Sequence, residues 1–350
     1  MKIFTLSVLV CLFSSCAKTS YIVKQGLGQF SLEWNGRDNE EVLADKKISA
    51  ENKKKIELII KYKKFFYKYF ELPETPIYAE TTILDRPAVS YLLIASPINS
   101  VEPIKHYFPI AGTFPYLGFF DKEDAIDYQN DLKEKHFTYM RPVYAYSTLN
   151  QLWVYDNILS SFFVYDDYRL AELIFHELTH TILFVKNDVN FNESLAQYMG
   201  KELAKIYFEK QPDLVKKYEV QLMRSDKLNE IIAEFANDYD GKLKEMNIKS
   251  KEKALELMNN LFEEKYSQTF YKTCINLQGT SCKWDGSKWN NARLAEFLTY
   301  QSKQDLVEKV QAKRNISLKE LLHYLIELEN EYSSSDFEKF TDFLKTKENL

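Results

Sequence analysis

The chain has 350 residues and a formal net charge of −5, and 45% of its residues are hydrophobic and 15% aromatic. This composition indicates a globular protein with a large core, and nine glycines with nine prolines exclude long low-complexity linkers. The lysine-rich runs at 46–64 and 249–253 are interleaved with acidic or apolar residues, which is typical of solvated helix faces. These features argue against nucleic acid as a partner.

The first sixteen residues have the pattern of an export signal. Lys2 supplies a positive start, and the apolar stretch Ile3–Phe13 is too short to span a bilayer. Ser14 and Ser15 precede Cys16 in a pattern that resembles a bacterial lipobox, which implies that Cys16 is the lipidated first residue of the mature chain. A plain secretory signal with a nearby cleavage site is the alternative.

Either signal predicts a protein exported to the bacterial cell envelope. Alanine rather than aspartate follows Cys16, which by analogy with lipoprotein sorting favours the outer membrane, on its periplasmic or its outer surface. Contact with the membrane is then expected through the lipid anchor only. Residues 17–35 are polar and contain glycines, and they are expected to form a short tether.

The segment 36–150 is predicted to be an N-terminal part of mixed α and β structure. An amphipathic helix over Ser49–Phe70 ends before Pro73 and Pro76, and the runs that follow are rich in the β-branched and aromatic residues of strands. The other predicted elements are strands at Val89–Ser96, His106–Ala111 and Phe114–Phe120, a helix at Asp124–Lys135 and a strand at Phe137–Ser147.

The motif His176-Glu177-Leu178-Thr179-His180 is the strongest chemical signal in the chain. Residues four apart share one face of a helix, so both imidazoles can reach the same metal ion. Glu177 is turned about 100° around the axis, so it can act as a base toward a metal-bound water without being a ligand. A chance match is rare because the chain has only five histidines, and the other three receive no functional role. The motif predicts a zinc hydrolase site. The three histidines without a role are His106, His136 and His323.

A second helix is predicted after a turn at 186–190. It runs from Asn192 to about Lys210 and carries Glu193 in its first turn, where a carboxylate is well placed to be the third zinc ligand if the two helices pack antiparallel. Ala196, one turn further on, would let the helices approach closely. The alternative for Glu193 is a solvated acid favoured by the positive start of the helix.

The remaining chain is predicted to be mostly helical. Ser317 and Glu320 have capping-box spacing at one helix start. Strands followed by helices indicate an α+β fold, in which an N-terminal helix and a small antiparallel or mixed sheet precede a helical catalytic part at 151–335. Residues 336–350 are expected to form a C-terminal tail. The predicted helices of this region are 213–265, 290–301, 303–313 and 317–331.

Two cysteines remain once Cys11 leaves with the signal and Cys16 carries the lipid. These are Cys274 and Cys282, and an exported chain lies in a compartment that permits disulfides. We predict a structural bridge between them, with two free thiols as the alternative. Metal binding by this pair is disfavoured because no CxxC spacing or nearby histidine accompanies it.

The residues around the two helices also carry a family resemblance. Glu172–His180 followed by Phe191–Ser194 resembles the bacterial putative aminopeptidase family of HExxH metallopeptidases. Asn150 stands in place of an expected glycine and Thr179 in place of an alanine, and neither contacts a proposed ligand. Other segments that resemble the family are Phe108–Gly112, Tyr116–Phe120, Ala145–Leu149, Asn290–Ala295 and Thr299–Tyr300.

The resemblance spans most of the chain and implies a gluzincin-like site on a zincin-like pair of helices. In such a site His176, His180 and Glu193 bind one zinc ion, and Glu177 is the general base.

The resemblance also suggests residues further from the zinc ligands. Tyr146 is the first candidate for a donor that stabilises the tetrahedral oxyanion, and Tyr300 and Tyr198 are alternatives. Asn291 and Arg293 are candidates for binding the substrate, and the alternative that they brace the helix bundle stays open.

The predicted function is that of a zinc metallopeptidase, and specifically an aminopeptidase, acting on peptide or protein substrates. By analogy with HExxH peptidases, the strand Phe137–Ser147 would hold an extended peptide by strand addition. One alternative is an endopeptidase or other zinc hydrolase that acts on cell-envelope proteins or wall peptides. The other is a non-catalytic surface lipoprotein in which the metal is a structural element.

Overall fold

The computed structural model describes residues 16–108, 112–145, 155–186, 188–277, 279, 282–300 and 305–350. Helices make up most of the described chain, and small sheets of two or three strands accompany them, so the predicted α+β class is confirmed. No helix in these ranges is long and apolar enough to cross a membrane.

The described helices follow the predicted order, and polar side chains cap several of their starts. Ser49 accepts a hydrogen bond from the backbone N–H of Asn52, and Ser317 and Glu320 form the predicted capping box. The helices are α1 (Cys16–Trp34), α2 (Asn39–Ala44), α3 (Ala50–Phe70), α4 (Lys122–Leu132), α5 (Asp167–Ile182), α6 (Val189–Tyr207), α7 (Pro212–Glu245), α8 (Lys251–Leu261), α9 (Ser267–Asn276), α10 (Asn291–Tyr300), α11 (Asp305–Arg314), α12 (Leu318–Tyr332) and α13 (Phe340–Glu348), with a π-helical turn between α8 and α9.

The strands are short and form separate small sheets. The strands are β1 (Arg37–Asp38), β2 (Glu80–Thr82), β3 (Ser90–Ser96), β4 (His106–Phe108), β5 (Gly112–Phe114), β6 (Leu117–Phe119), β7 (Phe137–Val143) and β8 (Ile158–Leu159). One antiparallel sheet has the order β6-β3-β7, and its β3–β7 register runs from Ser90 opposite Val143 to Ser96 opposite Phe137. A mixed sheet has the order β1-β2-β8, and β4 pairs antiparallel with β5.

The central strand β3 is buried on both faces. Because side chains alternate along a strand, Leu92 and Ile94 face one side, in a cluster with residues of α7, α8, α9 and α10. Tyr91 and Leu93 face the other side, where they join Ala125 of α4. The sheet is therefore sandwiched between helices from both halves of the sequence.

The largest buried cluster surrounds α5, the helix that carries the HExxH motif. Tyr62 and Phe66 of α3 pack against Phe175 of α5 with ring centroids 6.0 and 6.4 Å apart. Leu195 and Met199 of α6 belong to the same cluster. Because α3 lies before residue 150 and α5 after it, this buried cluster contains residues from both sides of the predicted boundary at 150.

Two predicted segments have a different structure. Residues 17–35 were expected to form a tether, but they lie almost entirely in α1, which packs on the protein through Tyr21 and Leu32. The predicted tail at 336–350 contains α13, whose Phe340 is buried against Phe191 of α6 with ring centroids 4.6 Å apart. Both segments are held by contacts with distant parts of the chain, which local composition does not reveal.

The helical run predicted at 213–265 is interrupted between α7 and α8. Asn247 has a left-handed backbone conformation, with φ of 48°, which ends the first helix. Ser250 then caps the next helix through the backbone N–H of Lys253. Beyond α9, Cys274 and Cys282 form a disulfide with a Cα–Cα distance of 5.6 Å.

Candidate metal centre

The start of α5 is fixed by contacts with α3. Asp166 caps the helix by accepting a hydrogen bond from the backbone N–H of Arg169. Lys55 donates from Nζ to the carbonyl of Tyr165 at 2.7 Å and to the carboxylate of Asp167 at 2.9 Å. These bonds set the position of the helix whose later turns carry the two histidines.

The turn between α5 and α6 is closed by the residue that precedes Glu193. Asn192 is buried, and its side-chain amide accepts from the backbone N–H of Val185 and donates to the carbonyl of the same residue, both at 2.8 Å. Asp188 caps α6 and also accepts two hydrogen bonds from Thr341 at the start of α13. The helix begins at Val189, three residues before the predicted start, so Glu193 lies just past its first turn, and these bonds hold that part of the helix in place.

A glycine allows the two helices to come into backbone contact. A Cβ atom on Gly200 would lie 2.7 Å from the carbonyl oxygen of Glu172 and 3.3 Å from the Cβ of His176. Ala196, predicted to permit close approach, is fully buried in the same helix. The closest approach therefore lies beside the first histidine of the motif, and only a residue without a side chain fits there.

Substituting Gly200 tests this contact. We expect Gly200→Ala to lower the free energy of unfolding by about 1–3 kcal/mol, because the added methyl group must push α6 away from α5. The displacement also moves His176 relative to Glu193 and weakens metal binding. Gly241→Ala in α7 is the matched control, since its Cβ would meet no atom within 4 Å, and alanine should stabilise that helix by up to about 1 kcal/mol. Chemical denaturation that gives both variants the same gain in stability would contradict the close contact.

Three side chains from α5 and α6 converge on one point. The Nε2 atoms of His176 and His180 lie 3.1 Å apart, and the Glu193 carboxylate oxygens lie 3.6 and 3.5 Å from them respectively. Among the described residues these three form a group whose ligand atoms all lie within 4.8 Å of one another. The structure thus brings together the three residues predicted to be metal ligands.

The histidines are in the right protonation state to bind a cation. Burial, together with the neighbouring His180, lowers the pKa of His176 to about 3, and burial lowers the pKa of His180 to about 4. Both rings are therefore neutral near pH 7, so their lone pairs are not lost to protons.

The donor set fits a small tetrahedral ion. A tetrahedral ion with bonds of about 2.1 Å separates its ligand atoms by about 3.4 Å. The two Nε2 atoms lie 3.1 Å apart, and each has a Glu193 oxygen at 3.6 or 3.5 Å, a different oxygen for each ring. Two imidazoles and one carboxylate are also a common ligand set of catalytic zinc, which keeps a fourth position for water or substrate. The residues present therefore fit the predicted ion.

Glu177 is buried close to Glu193, one of the three predicted ligands. Burial, followed by the charges of Glu193 and Asp156, raises the pKa of Glu177 to about 8. Tyr78 is also buried close to this carboxyl group, and burial, with Glu177 next in size, raises the pKa of its hydroxyl above the usual range. The candidate base is thus buried, with a second acid and a phenol beside it.

Sequence reasoning missed Asp156 and Tyr78. Tyr78 has a left-handed backbone, with φ of 59°, and its N–H donates to the carbonyl of Asp156 at 2.8 Å. A positive φ is unusual for a bulky residue and is found where the surroundings over-determine the backbone. The available signal was a single acid within the apolar stretch around Asp156, which was too weak to single it out.

Of the three tyrosines predicted as oxyanion donors, the structure describes the side chain of Tyr198. Tyr146 lies outside the described residues, and so does the side chain of Tyr300. Tyr198 of α6 donates its hydroxyl to the side chain of Gln311 in α11 at 2.6 Å, which gives it a place in helix packing. The role predicted for Tyr146 stays a prediction.

The predicted substrate-binding residues are built into the helical bundle. Asn291 is fully buried, donates to the carbonyls of residues 97, 98 and 100, and accepts from the hydroxyl of Tyr239. Arg293 donates to the carbonyl of Lys288 and lies over the ring of Trp289, 4.4 Å from its centroid. These contacts of Asn291 are of the kind that the bracing alternative expects, and its role in substrate binding stays a prediction. The contacts of Arg293 are of the same structural kind.

Comparison with known proteins identifies a family. The sequence of residues 20–339 matches the family described as putative aminopeptidase. No curated protein and no solved structure matches the chain. The matched range includes both helices of the metal centre.

Proposed function

Because this chain belongs to the putative aminopeptidase family, we propose that it is a zinc-dependent peptidase whose centre is formed by His176, His180 and Glu193. The observation that carries the proposal is the convergence of two neutral imidazoles and one carboxylate. The buried carboxyl group of Glu177 lies close to this carboxylate. We place the site in the gluzincin class, in which the second helix supplies the acidic ligand. One zinc ion per chain is the proposed cofactor.

The chain's own residues divide the chemistry between binding and proton transfer. When bound, zinc polarises a substrate carbonyl and lowers the pKa of water at the centre. Glu177 in its ionised form takes the proton of the attacking water, and a cation held by the three ligands would favour that form of the buried carboxyl group. It then returns a proton to the leaving amine. Asp156 raises the pKa of Glu177 through its charge.

We propose that the peptide binds along the outer edge of β7. β7 is the outer strand of its sheet in the described part of the chain, and an outer strand is where an extended substrate can be added to a sheet. Just past this strand, the ring of Tyr144 lies 6.3 Å from that of Tyr165, and Tyr165 lies close enough to Glu177 to feel its charge. The strand therefore leads toward the base.

Metal analysis and a paired peptide panel test the proposal. We expect one zinc per chain and cleavage of short peptides that a chelator abolishes. An aminopeptidase needs the free amine, so N-acetylated copies of the same peptides should react about 10- to 1000-fold more slowly. Equal cleavage of both sets would instead identify an endopeptidase. Bound zinc without any cleavage would favour the non-catalytic lipoprotein.

We also propose that the peptidase acts outside the cytoplasm, anchored at the cell envelope through Cys16. The support is the export pattern of residues 1–16 and the Cys274–Cys282 disulfide, since such bonds persist in oxidising compartments. Fractionation of cells that produce the protein, followed by mass analysis of its first peptide, tests both parts.

A further inference from the structure

The helix that follows the predicted anchor packs on the protein through one face. The hydroxyl of Tyr21 donates to the carbonyl of Gly118 at 2.7 Å and accepts from the N–H of the same residue at 3.1 Å. Gly28 lies against Phe120, so closely that a Cβ there would be 2.3 Å from the ring. Leu32 is buried, and its carbonyl accepts from Thr82. The helix is thus fixed to the protein at three levels along its length.

The opposite face of α1 exposes large apolar side chains. Leu27 is 64% exposed, Phe30 58% and Trp34 76%. The rings of Phe30 and Trp34 stack on each other, with centroids 5.4 Å apart, so the two form one continuous apolar surface. We call Leu27, Phe30 and Trp34 the α1 apolar face.

Helical geometry places this face away from the body. With about 100° per residue, Leu27, Phe30 and Trp34 fall within about 60° of one another around the axis. Tyr21, Gly28 and Leu32 fall within about 40° of one another, on the opposite side. The residues that bind the protein and those that are exposed are therefore separate, and the α1 apolar face is free for another surface.

The preceding chain indicates what that surface is. Position 16 lies eleven residues before Leu27, which is about three full helical turns, so it falls on the same side of the helix as the α1 apolar face. Cys16 is the proposed lipid attachment and the first residue left after the signal is removed, so this inference rests on the proposed anchor. A membrane that holds this end of α1 therefore lies on the side of the helix that carries the α1 apolar face.

We propose that the α1 apolar face lies in the interfacial layer of the lipid bilayer that anchors the N-terminus. Tryptophan and phenylalanine are suited to this layer, and an exposed apolar patch of this kind marks an interaction site. Lys24 is paired with Asp124 at 2.7 Å, so its charge is balanced by the protein, and the proposed attraction comes from the exposed apolar side chains. The contact would hold the protein body, and with it the metal centre, at a fixed orientation to the membrane.

Quenching of Trp34 by brominated lipid tests the proposal. The lipidated protein, purified from the membrane of the producing cells, is reconstituted into phosphatidylcholine vesicles with and without bromine on the acyl chains. Trp34→Phe isolates the signal of Trp34 from that of the other three tryptophans by difference. We expect brominated lipid to quench the Trp34 signal by more than half and the remaining signal much less. Equal quenching of the two signals would overturn the proposal.

A double variant separates lipid contact from mere proximity. Leu27→Gln combined with Phe30→Gln leaves Trp34 and the anchor in place, and we expect it to reduce the quenching at least twofold. Thermal unfolding of this variant should be unchanged, since the two side chains project into solvent. If Trp34 is insensitive to brominated lipid and the unmodified chain sediments as a dimer that the double variant dissociates, the face joins two copies of the chain and the membrane proposal is wrong.

Discussion

Replacing Glu177 with glutamine is expected to lower kcat about 10²- to 10⁴-fold while one zinc per chain stays bound. Glutamine has the size of glutamate, so it fits the buried position, but its amide cannot accept the proton of the attacking water. His176, His180 and Glu193 are unchanged, so metal binding is retained. The measurement combines kcat on a cleaved peptide with elemental analysis of the same preparation.

The matched control is Glu202→Gln, because Glu202 is a helical acid of α6 that pairs with Lys205 and is not part of the centre. It should keep both activity and zinc. The Glu177→Gln variant should also unfold at the temperature of the unmodified protein or above it, since a buried acid has been replaced by a neutral group. Full activity of Glu177→Gln would show that another group activates the water.

The metal centre was accessible from the sequence because its geometry is local. His176 and His180 stand one helical turn apart, so their common direction follows from helix formation alone. Glu193 required one further assumption, that a short turn returns the chain antiparallel, and Asn192 provides that turn by its two hydrogen bonds to Val185. Periodicity and spacing in the sequence therefore predict contacts between residues that are close together along the chain.

Residues that act through distant contacts were not accessible in the same way. Tyr78 and Asp156 reach Glu177 from other parts of the chain, and no local pattern connects them. Asn291 was considered for substrate binding because of its motif, but its amide is used by carbonyls almost two hundred residues earlier. A polar residue in a sequence motif needs hydrogen-bond partners, but the sequence does not say which partners they are. The partner that the residue finds in the fold decides its role.

Packing against distant residues also determines the structure of residues 17–35 and of the C-terminal segment. Gly26 and Gly28 lower the helix propensity of residues 17–35, and a tether was the natural prediction. In the structure, α1 approaches Phe120 so closely at Gly28 that no side chain fits there. This glycine is a weak helix former, but the contact requires it. At the other end, Thr341 binds Asp188, the cap of the helix that carries Glu193. The C-terminal segment thereby contributes to the support of the centre.

Replacing Glu193 with alanine is expected to weaken zinc binding by at least about 100-fold. Loss of an outer partner of a metal ligand already costs about 10- to 100-fold, so loss of a ligand should exceed that. Without zinc the variant should remain folded, because half of the Glu193 side chain is exposed and its two partners are neutral imidazoles. Titration calorimetry of metal-free protein with zinc measures the affinity directly.

Thermal unfolding gives a second, independent measure of the same loss. A ligand at about 100 times its dissociation constant stabilises a protein by about 2.7 kcal/mol, so zinc should raise the Tm of the unmodified protein and leave that of Glu193→Ala nearly unchanged. Glu202→Ala, a change of the same size in the same helix, should retain the full zinc-dependent rise. If Glu193→Ala keeps that rise as well, the third ligand comes from elsewhere, and the centre formed by α5 and α6 has been assigned wrongly.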